Sequence, residues 1–393
     1  MKHLRIKQAL AWVFLLGLTV FFVRSAPLSS LVQLSDWLRQ DRENAVGIDV
    51  LEQSYADKLW KKEAFLNLNG AAAKLLKMRG YYSDLGMYIT DNDYIVTATR
   101  ETTTDYEVDQ TIALERFCRE NGINFCYVNQ PIKYLDDSSL NRFGIMTYAN
   151  KNADLFLQRI SNAGVPTLDL RQSIIDEGLN IYDMFYRTDH HWTTQTGLWA
   201  SGKIAERLNQ SCGYNIDLTL YDSTNYTVTE WENCWLGEQG QKVGETYVGR
   251  DDFALIKPNF PTSYTFKTSE GIEEGTFDNF LNESVYDPLP DGQPNRNSWY
   301  YSYLRKNAVN HNVDYGKVLL IGDSYAHLTV PFLSLGIAEL DSLILRDVGS
   351  DFQLTELILS GGYDTVLVCY AQNMIGSHDS PQSANYAMYS FIQ

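Results

Sequence analysis

Two hydrophobic rhythms alternate along most of the chain. Residues 106–121 (YEVDQTIALERFCREN) place apolar side chains at helical spacing and stop at Gly122, a residue suited to the left-handed turn that ends a helix. The apolar run INFCYVN comes next and breaks at Gln130-Pro131, which predicts a buried strand. Residues 151–163 predict a second helix, closed by Gly164 and succeeded by the short strand VPTLDL. Three later apolar runs, KVLLIGDS, DSLILRDVGS and YDTVLVCYAQN, predict further buried strands. Helix, glycine and strand in repetition are the pattern of a parallel sheet with crossover helices. The pattern therefore predicts an α/β domain built on a parallel sheet.

Three stretches depart from that rhythm. DLGMYITDNDYIV, residues 84–96, predicts a hairpin turning at Asp91-Asn92-Asp93. Residues 213–312 are rich in Tyr, Thr, Asn, Gly and Pro with short alternating runs, and predict a β-rich insertion. Residues 28–83 carry helix-like spacing mixed with charge (AFLNLNGAAAKLLKMRG) and predict a helical, membrane-proximal stalk. Ahead of them, Lys2, Arg5 and Lys7 precede an uncharged, mostly apolar run from Ala9 to Val23, closed by Arg24. The run is shorter than the roughly 20 residues of an ordinary spanning helix, yet long for a signal-peptide core. Basic flanks stay in the cytoplasm, so residues 1–27 are expected to send the rest of the chain across the membrane. An uncleaved single-pass anchor is preferred to a cleaved signal peptide. The remainder, 84–393, is expected to be the working domain.

Composition narrows the functional classes. The chain has 393 residues, 44% hydrophobic and 13% aromatic, which is ample for packed cores. A formal net charge of -17 makes it a poor partner for nucleic acid, whose phosphates it would repel. Its five cysteines contain no C-x-x-C pair. Buried free thiols are the preferred reading, with Cys212–Cys234 the most suitable pair if a bridge exists.

Candidate chemistry concentrates in RTDHHWTTQTG, residues 187–197, which holds two of only six histidines beside an aspartate. Thr193 or Thr194 would cap the next helix. A metal reading of Asp189, His190 and His191 needs further ligands, and His311, His327 and His378 have no motif spacing. The second cluster is Gly322-Asp323-Ser324, where a strand ends and a helix can start. A serine there presents its hydroxyl at the sheet edge, where backbone N–H groups also point. Gly349 and Asn373 lie at the ends of the next two strands. Ser324, a backbone N–H at Gly349 and the Asn373 amide could converge, with Asp189 and His191 supplying the base and its orienter. Asp189 and His191, two apart, project to one side, whereas His190 points elsewhere.

These residue types resemble the SGNH hydrolase superfamily. Its usual order is Ser, Gly, Asn and then Asp-x-x-His. Here Asp-x-His comes first, with TDHHW and a capped helix, which resembles the circularly permuted, alginate O-acetyltransferase-like branch that includes the DHHW proteins. The resemblance covers roughly residue 84 to the C-terminus, and the 213–312 insertion matches only loosely. It implies a three-layer α/β/α domain of flavodoxin-like character, circularly permuted, with Ser324 as nucleophile, His191 as general base and Asp189 as orienter. It also implies an oxyanion hole of the Ser324 N–H, the Gly349 N–H and Asn373, and no metal or nucleotide cofactor.

Lys133, Tyr370 and His190 are expected to line the substrate cleft. The implied activity is O-acetyl transfer to a secreted or cell-wall polysaccharide, with acetyl groups delivered by a membrane-bound acyltransferase partner. The same triad would serve a carbohydrate acetylesterase, and a non-catalytic glycan-binding or assembly protein could retain the fold.

Overall fold

The computed structural model describes residues 12–17, 19, 20, 24, 59–80, 86–268, 271–281, 307–349, 351–376 and 386–392. Two compact units emerge, Met1–Leu76 with Lys242–Tyr247, and Lys77–Gln241 with Val248–Gln393. In the smaller unit, helix α1 (Lys62–Leu75) turns Gly70 and Ala73 inward. A Cβ on Gly70 would lie 2.8 Å from the Val243 carbonyl, so only glycine allows that approach. Phe65, Leu68 and Leu75 stay exposed on the other side of α1. Most of the expected anchor lies outside the described residues, and residues 12–17 are helical with exposed side chains. Among the described residues no helix is long and apolar enough to cross a membrane. Of the expected stalk, only residues 59–80 are described, and α1 is its helix.

The larger unit opens with the expected hairpin, β1 (Met87–Ile89) antiparallel to β2 (Ile95–Thr97). Asp93 takes the left-handed conformation in its turn. The α/β alternation then proceeds through α2 (Asp105–Glu120), β3 (Asn124–Gln130), α3 (Ala149–Asn162), β4 (Thr167–Asp169), α4 (Leu170–Asp176) and α5 (Thr194–Ser211). Gly122 and Gly164 have positive φ just past α2 and α3, as their places in the sequence require.

The residues expected to form a separate insertion divide between two sheets. Strands β5 (Tyr226–Trp235) and β6 (Asp251–Pro258) pair only with each other, and the short helices α6 (Glu238–Val243) and α7 (Glu245–Val248) lie between them in sequence. Strands β7 (Tyr264–Thr268), β8 (Gly271–Gly275) and β9 (Asn307–Asn310) instead extend the main sheet. That sheet is completed by β10 (Lys317–Gly322), β11 (Glu339–Leu343) and β12 (Thr365–Ala371), with α8 (Ala326–Leu333) and α9 (Leu354–Gly361) as connections. Its order is β4-β3-β12-β10-β11-β9-β7-β8. The first five strands run parallel, while β9 joins β11 antiparallel.

Strand alternation sorts the core into two layers. On β12, Leu367, Cys369 and Ala371 face α5 and α8, whereas Val366, Val368 and Tyr370 face the layer of α2 and α3. This is the expected mixed α/β architecture with a large sheet. The chain leaves β10 towards β11 on one side and later returns as β12 on the other. The carboxyl ends of β10 and β12 therefore flank a switch of direction, the place where open α/β sheets hold their ligands.

All five cysteines are free and buried, including Cys212 and Cys234. Burial pushes the Cys118 and Cys126 thiols up to about 12, which keeps them protonated and inert at neutral pH.

Candidate active site

Ser324 lies just past β10 at the turn into α8, only partly buried. Asp323 is fully buried and ties this turn to the next strand, accepting from the Tyr325 N–H (2.9 Å) and the Ala371 N–H (2.7 Å). Burial raises its pKa against those two donors. Asp323 thus acts through turn geometry, as its position in Gly-Asp-Ser suggests.

The DHHW segment forms a tight loop. Phe185 and Trp192 make an isolated antiparallel bridge, and the Thr193 N–H donates to the Met184 carbonyl at 2.9 Å. Thr193 then caps α5, its hydroxyl accepting from the Thr196 N–H. Trp192 is fully buried under the loop, with its ring centroid 5.1 Å from that of Tyr325.

Inside the loop, Asp189 Oδ1 accepts the His191 backbone N–H at 3.0 Å and pairs with His191 Nδ1 at 2.6 Å. This is the physical sense of the one-residue spacing. An aspartate accepts naturally from the N–H two residues on, and that turn brings the ring of the same residue to its carboxylate. Asp189 Oδ2 accepts the Glu238 N–H at 2.8 Å. Burial alone would raise the Asp189 pKa, but the charge and hydrogen bond of His191 hold it below the usual carboxylate range.

The other ring nitrogen, His191 Nε2, lies 2.6 Å from Ser324 Oγ. Carboxylate, imidazole and hydroxyl are joined in one relay, with Asp189 and His191 buried. A serine so placed has the geometry that nucleophilic chemistry needs, and Asp189 fixes the imidazole with Nε2 towards it. The ligand atoms of Asp189, His190 and His191 lie within 4.8 Å of one another, as a metal would require. Both ring nitrogens of His191 already face triad partners, so a metal there would displace the relay.

The remaining expected residues separate. His190 is half-buried, its ring centroid 3.7 Å from that of His191, and its carbonyl accepts from the Tyr325 hydroxyl at 2.6 Å. Asn373 sits on the turn after β12 and lines, with His190 and Tyr325, a cavity of about 20 Å³. Its Oδ1 is buried without a hydrogen-bond partner among the described residues. Gly349 stands exposed beyond the turn Leu345–Asp347. The expected strand does not reach it, because β11 starts earlier and its pairing with β10 ends at Ile321 and Leu343.

One expected cleft contact is corrected. Tyr370 is fully buried on the opposite face of β12, its hydroxyl donating to the Met388 carbonyl, because alternation sends it to the other layer from Cys369 and Ala371. Lys133 is buried and directs its donors to the carbonyls of Ile95 (2.7 Å) and Arg187 (3.0 Å) and to Gln239 Oε1 (3.0 Å). Lys133 lines the same small cavity as His190, Tyr325 and Asn373, with its amine held by those three acceptors.

Sequence reasoning missed the groups that fix the loop from outside. Asp251, the first residue of β6, accepts from the Arg187 N–H (3.0 Å), the Thr188 N–H (2.8 Å) and the Thr188 hydroxyl (2.6 Å). The Thr188 hydroxyl also accepts the Gly237 N–H at 2.9 Å. These ties are wholly tertiary, and no local motif announces them.

Residues 88–232 match the family model described as the SGNH hydrolase-like domain of acetyltransferase AlgX. The fold is similar to that of Bacillus cereus PatB1 in its structure with a sulfonyl adduct, at 21% identity and a TM-score of 0.62. That match covers 78% of this chain and 99% of PatB1. It is similar too to a DHHW family protein from Eubacterium siraeum, at 16% identity and a TM-score of 0.52, covering 73% of this chain and 91% of that one. No curated protein matches the sequence significantly. The expected resemblance holds over residues 88–232, which match an SGNH hydrolase-like acetyltransferase domain, and the fold is similar to that of PatB1.

Proposed function

We propose that this SGNH-type acetyltransferase domain transfers acetyl groups through Ser324 to hydroxyls of a secreted or cell-wall polysaccharide. The observation that carries the reading is the relay from Asp189 through His191 to Ser324 Oγ, with 2.6 Å at both steps. In the first half-reaction His191 Nε2 takes the Ser324 proton while Oγ attacks the donor's acetyl carbonyl. The tetrahedral intermediate collapses, the donor's leaving oxygen receives the proton from His191, and Ser324 holds the acetyl ester. A sugar hydroxyl then gives its proton to His191 and attacks that ester. The new O-acetyl sugar departs, and the proton returns to Oγ. Asp189 stays ionised throughout and stabilises the imidazolium.

The developing oxyanion needs donors, and this reading assigns them to the Ser324 N–H, the Gly349 N–H and the Asn373 amide. The unpartnered Asn373 oxygen supports the assignment, since amide O and N positions interchange by a flip that would set a donor in its place.

The basic residues Lys2, Arg5 and Lys7 ahead of an apolar run support placing the domain outside the cytoplasmic membrane. A membrane-bound acyltransferase partner would then deliver the acetyl group.

The test is turnover of a chromogenic acetyl ester with and without oligosaccharide. The reading expects acetylated sugar to grow with acceptor concentration at the expense of free acetate. Free acetate alone at every acceptor concentration would make the protein an acetylesterase. Unchanged polymer acetylation in cells carrying Ser324→Ala would leave it a glycan-binding or assembly protein.

A further inference from the structure

At the other end of the main sheet lies a groove with no part in the chemistry above. Its volume is about 720 Å³, within the range of small-molecule sites. The groove residues Asp314 and Tyr315 stand just before Gly316, which directly precedes Lys317, the first residue of β10. Ser324 lies past the opposite end of the same strand, so β10 alone separates the two places by about 20 Å.

The groove walls are fixed. The Tyr214 hydroxyl donates to Thr365 Oγ1 at 3.1 Å, and its ring meets that of Tyr315 edge-on at 5.2 Å. Gly316 makes this fit possible, since a Cβ there would come 2.5 Å from the Tyr214 ring. Tyr315 is left 53% exposed over the groove, and half-buried Phe260 also lines it, braced edge-on against Tyr226. Short polar side chains also line it, exposed Asn215, Asn312, Asp217 and Asp314. Asp217 Oδ1 accepts from the Thr219 N–H and hydroxyl, and Asn312 Oδ1 accepts from the Ser263 N–H, so both are held in place.

This chemistry selects one class of ligand. Aromatic faces pack against the C–H faces of a sugar ring, and amide and carboxylate oxygens accept from its hydroxyls. Among the described residues the lining holds two carboxylates and no lysine or arginine, in a chain of net charge -17. A polyuronate would meet repulsion with no compensating cation, whereas an uncharged glycan would not.

We infer that the groove lined by Tyr315, Tyr214, Phe260 and Asp314 is a second glycan site, which binds a neutral segment of the polysaccharide away from Ser324. The inference rests on the polysaccharide-acetyltransferase reading for its biological purpose, but its test is independent of turnover. A polymer held there is tethered, which raises the effective concentration of its other residues at the catalytic serine.

The test is affinity electrophoresis of the full chain through gels containing β-glucan, xylan, galactomannan or polygalacturonate. Wild type, Ser324→Ala and Tyr315→Ala are run together, with acetyl-ester turnover measured in parallel. At least one neutral polymer is expected to retard wild type and Ser324→Ala equally. Tyr315→Ala is expected to weaken that retardation about tenfold, the scale of a lost aromatic contact, with ester turnover unchanged. Retardation by no neutral polymer, retardation equal in Tyr315→Ala, or preference for polygalacturonate would each overturn the inference. Loss of ester turnover in wild type would defeat the acetyltransferase reading without touching the groove.

Discussion

His191 Nε2 rests 2.6 Å from Ser324 Oγ although 133 positions separate the two residues. Helix α5 leaves directly from the DHHW loop and packs in the same core layer as α8, which begins just after Ser324. A Cβ on Gly197 of α5 would lie 2.6 Å from the Leu328 carbonyl of α8, so the helices touch backbone to backbone. The contact between His191 and Ser324 is thus set by helix packing on one side of the sheet.

Asp189→Asn should lower turnover by about 10⁴-fold while leaving the fold in place, because the amide no longer holds the His191 tautomer with Nε2 as the acceptor. Steady-state kinetics with a chromogenic acetyl ester, beside a melting curve, checks this. A loss below tenfold would remove Asp189 from the relay.

Gly237→Ala should cost about 10²-fold in turnover without any change of chemical groups at the site. The added Cβ would lie 2.6 Å from both Asp189 Oδ2 and the Thr188 carbonyl, closer than such atoms approach. Asp189 must then shift, and displacements of about 1 Å at a positioning group have effects of this size. Wild-type kinetics in the variant would show that the segment after β5 does not brace the carboxylate.

Much of this was legible in the chain. Helix periodicity ending at Gly122 and Gly164, and apolar runs before Ser324 and Asn373, mark elements that form almost where expected, because local chemistry sets them. The triad was legible because Asp189 and His191 are local partners and Gly-Asp-Ser marks a strand end. Tyr370 was misplaced because only the register of β12 decides which layer it faces. Lys133 lines the cavity beside His190, but the acceptors that hold it, Ile95, Arg187 and Gln239, were not legible because they come from three distant segments. Nothing in the alternating runs after Gly213 separates the strands that pair apart, β5 and β6, from those that join the main sheet.

Asn373→Ala should lower kcat by about 10²–10³-fold with little change in KM, as for a donor that acts on the developing oxyanion alone. Kinetics across substrate concentration separates the two constants. A raised KM at unchanged kcat would make Asn373 a ground-state contact instead.

Lys133 gives a pH-dependent stability. Burial lowers its pKa from 10.5 to about 7, with Asp189 and Asp251 opposing. Between those values the unfolded chain holds a proton that the folded one has released. This group therefore adds stability as pH rises through that window and withdraws it as pH falls back towards about 7. Urea midpoints for wild type and Lys133→Met should diverge in favour of wild type between about pH 7 and pH 10. Parallel profiles would contradict the shift.

The most direct measurement is intact and peptide mass spectrometry after brief exposure to a serine-reactive acetyl ester or phosphonate. One adduct is expected, on the peptide containing Ser324, absent in Ser324→Ala and formed far more slowly in His191→Ala. An unmodified Ser324, or labelling that proceeds equally fast without the His191 imidazole, would contradict the account.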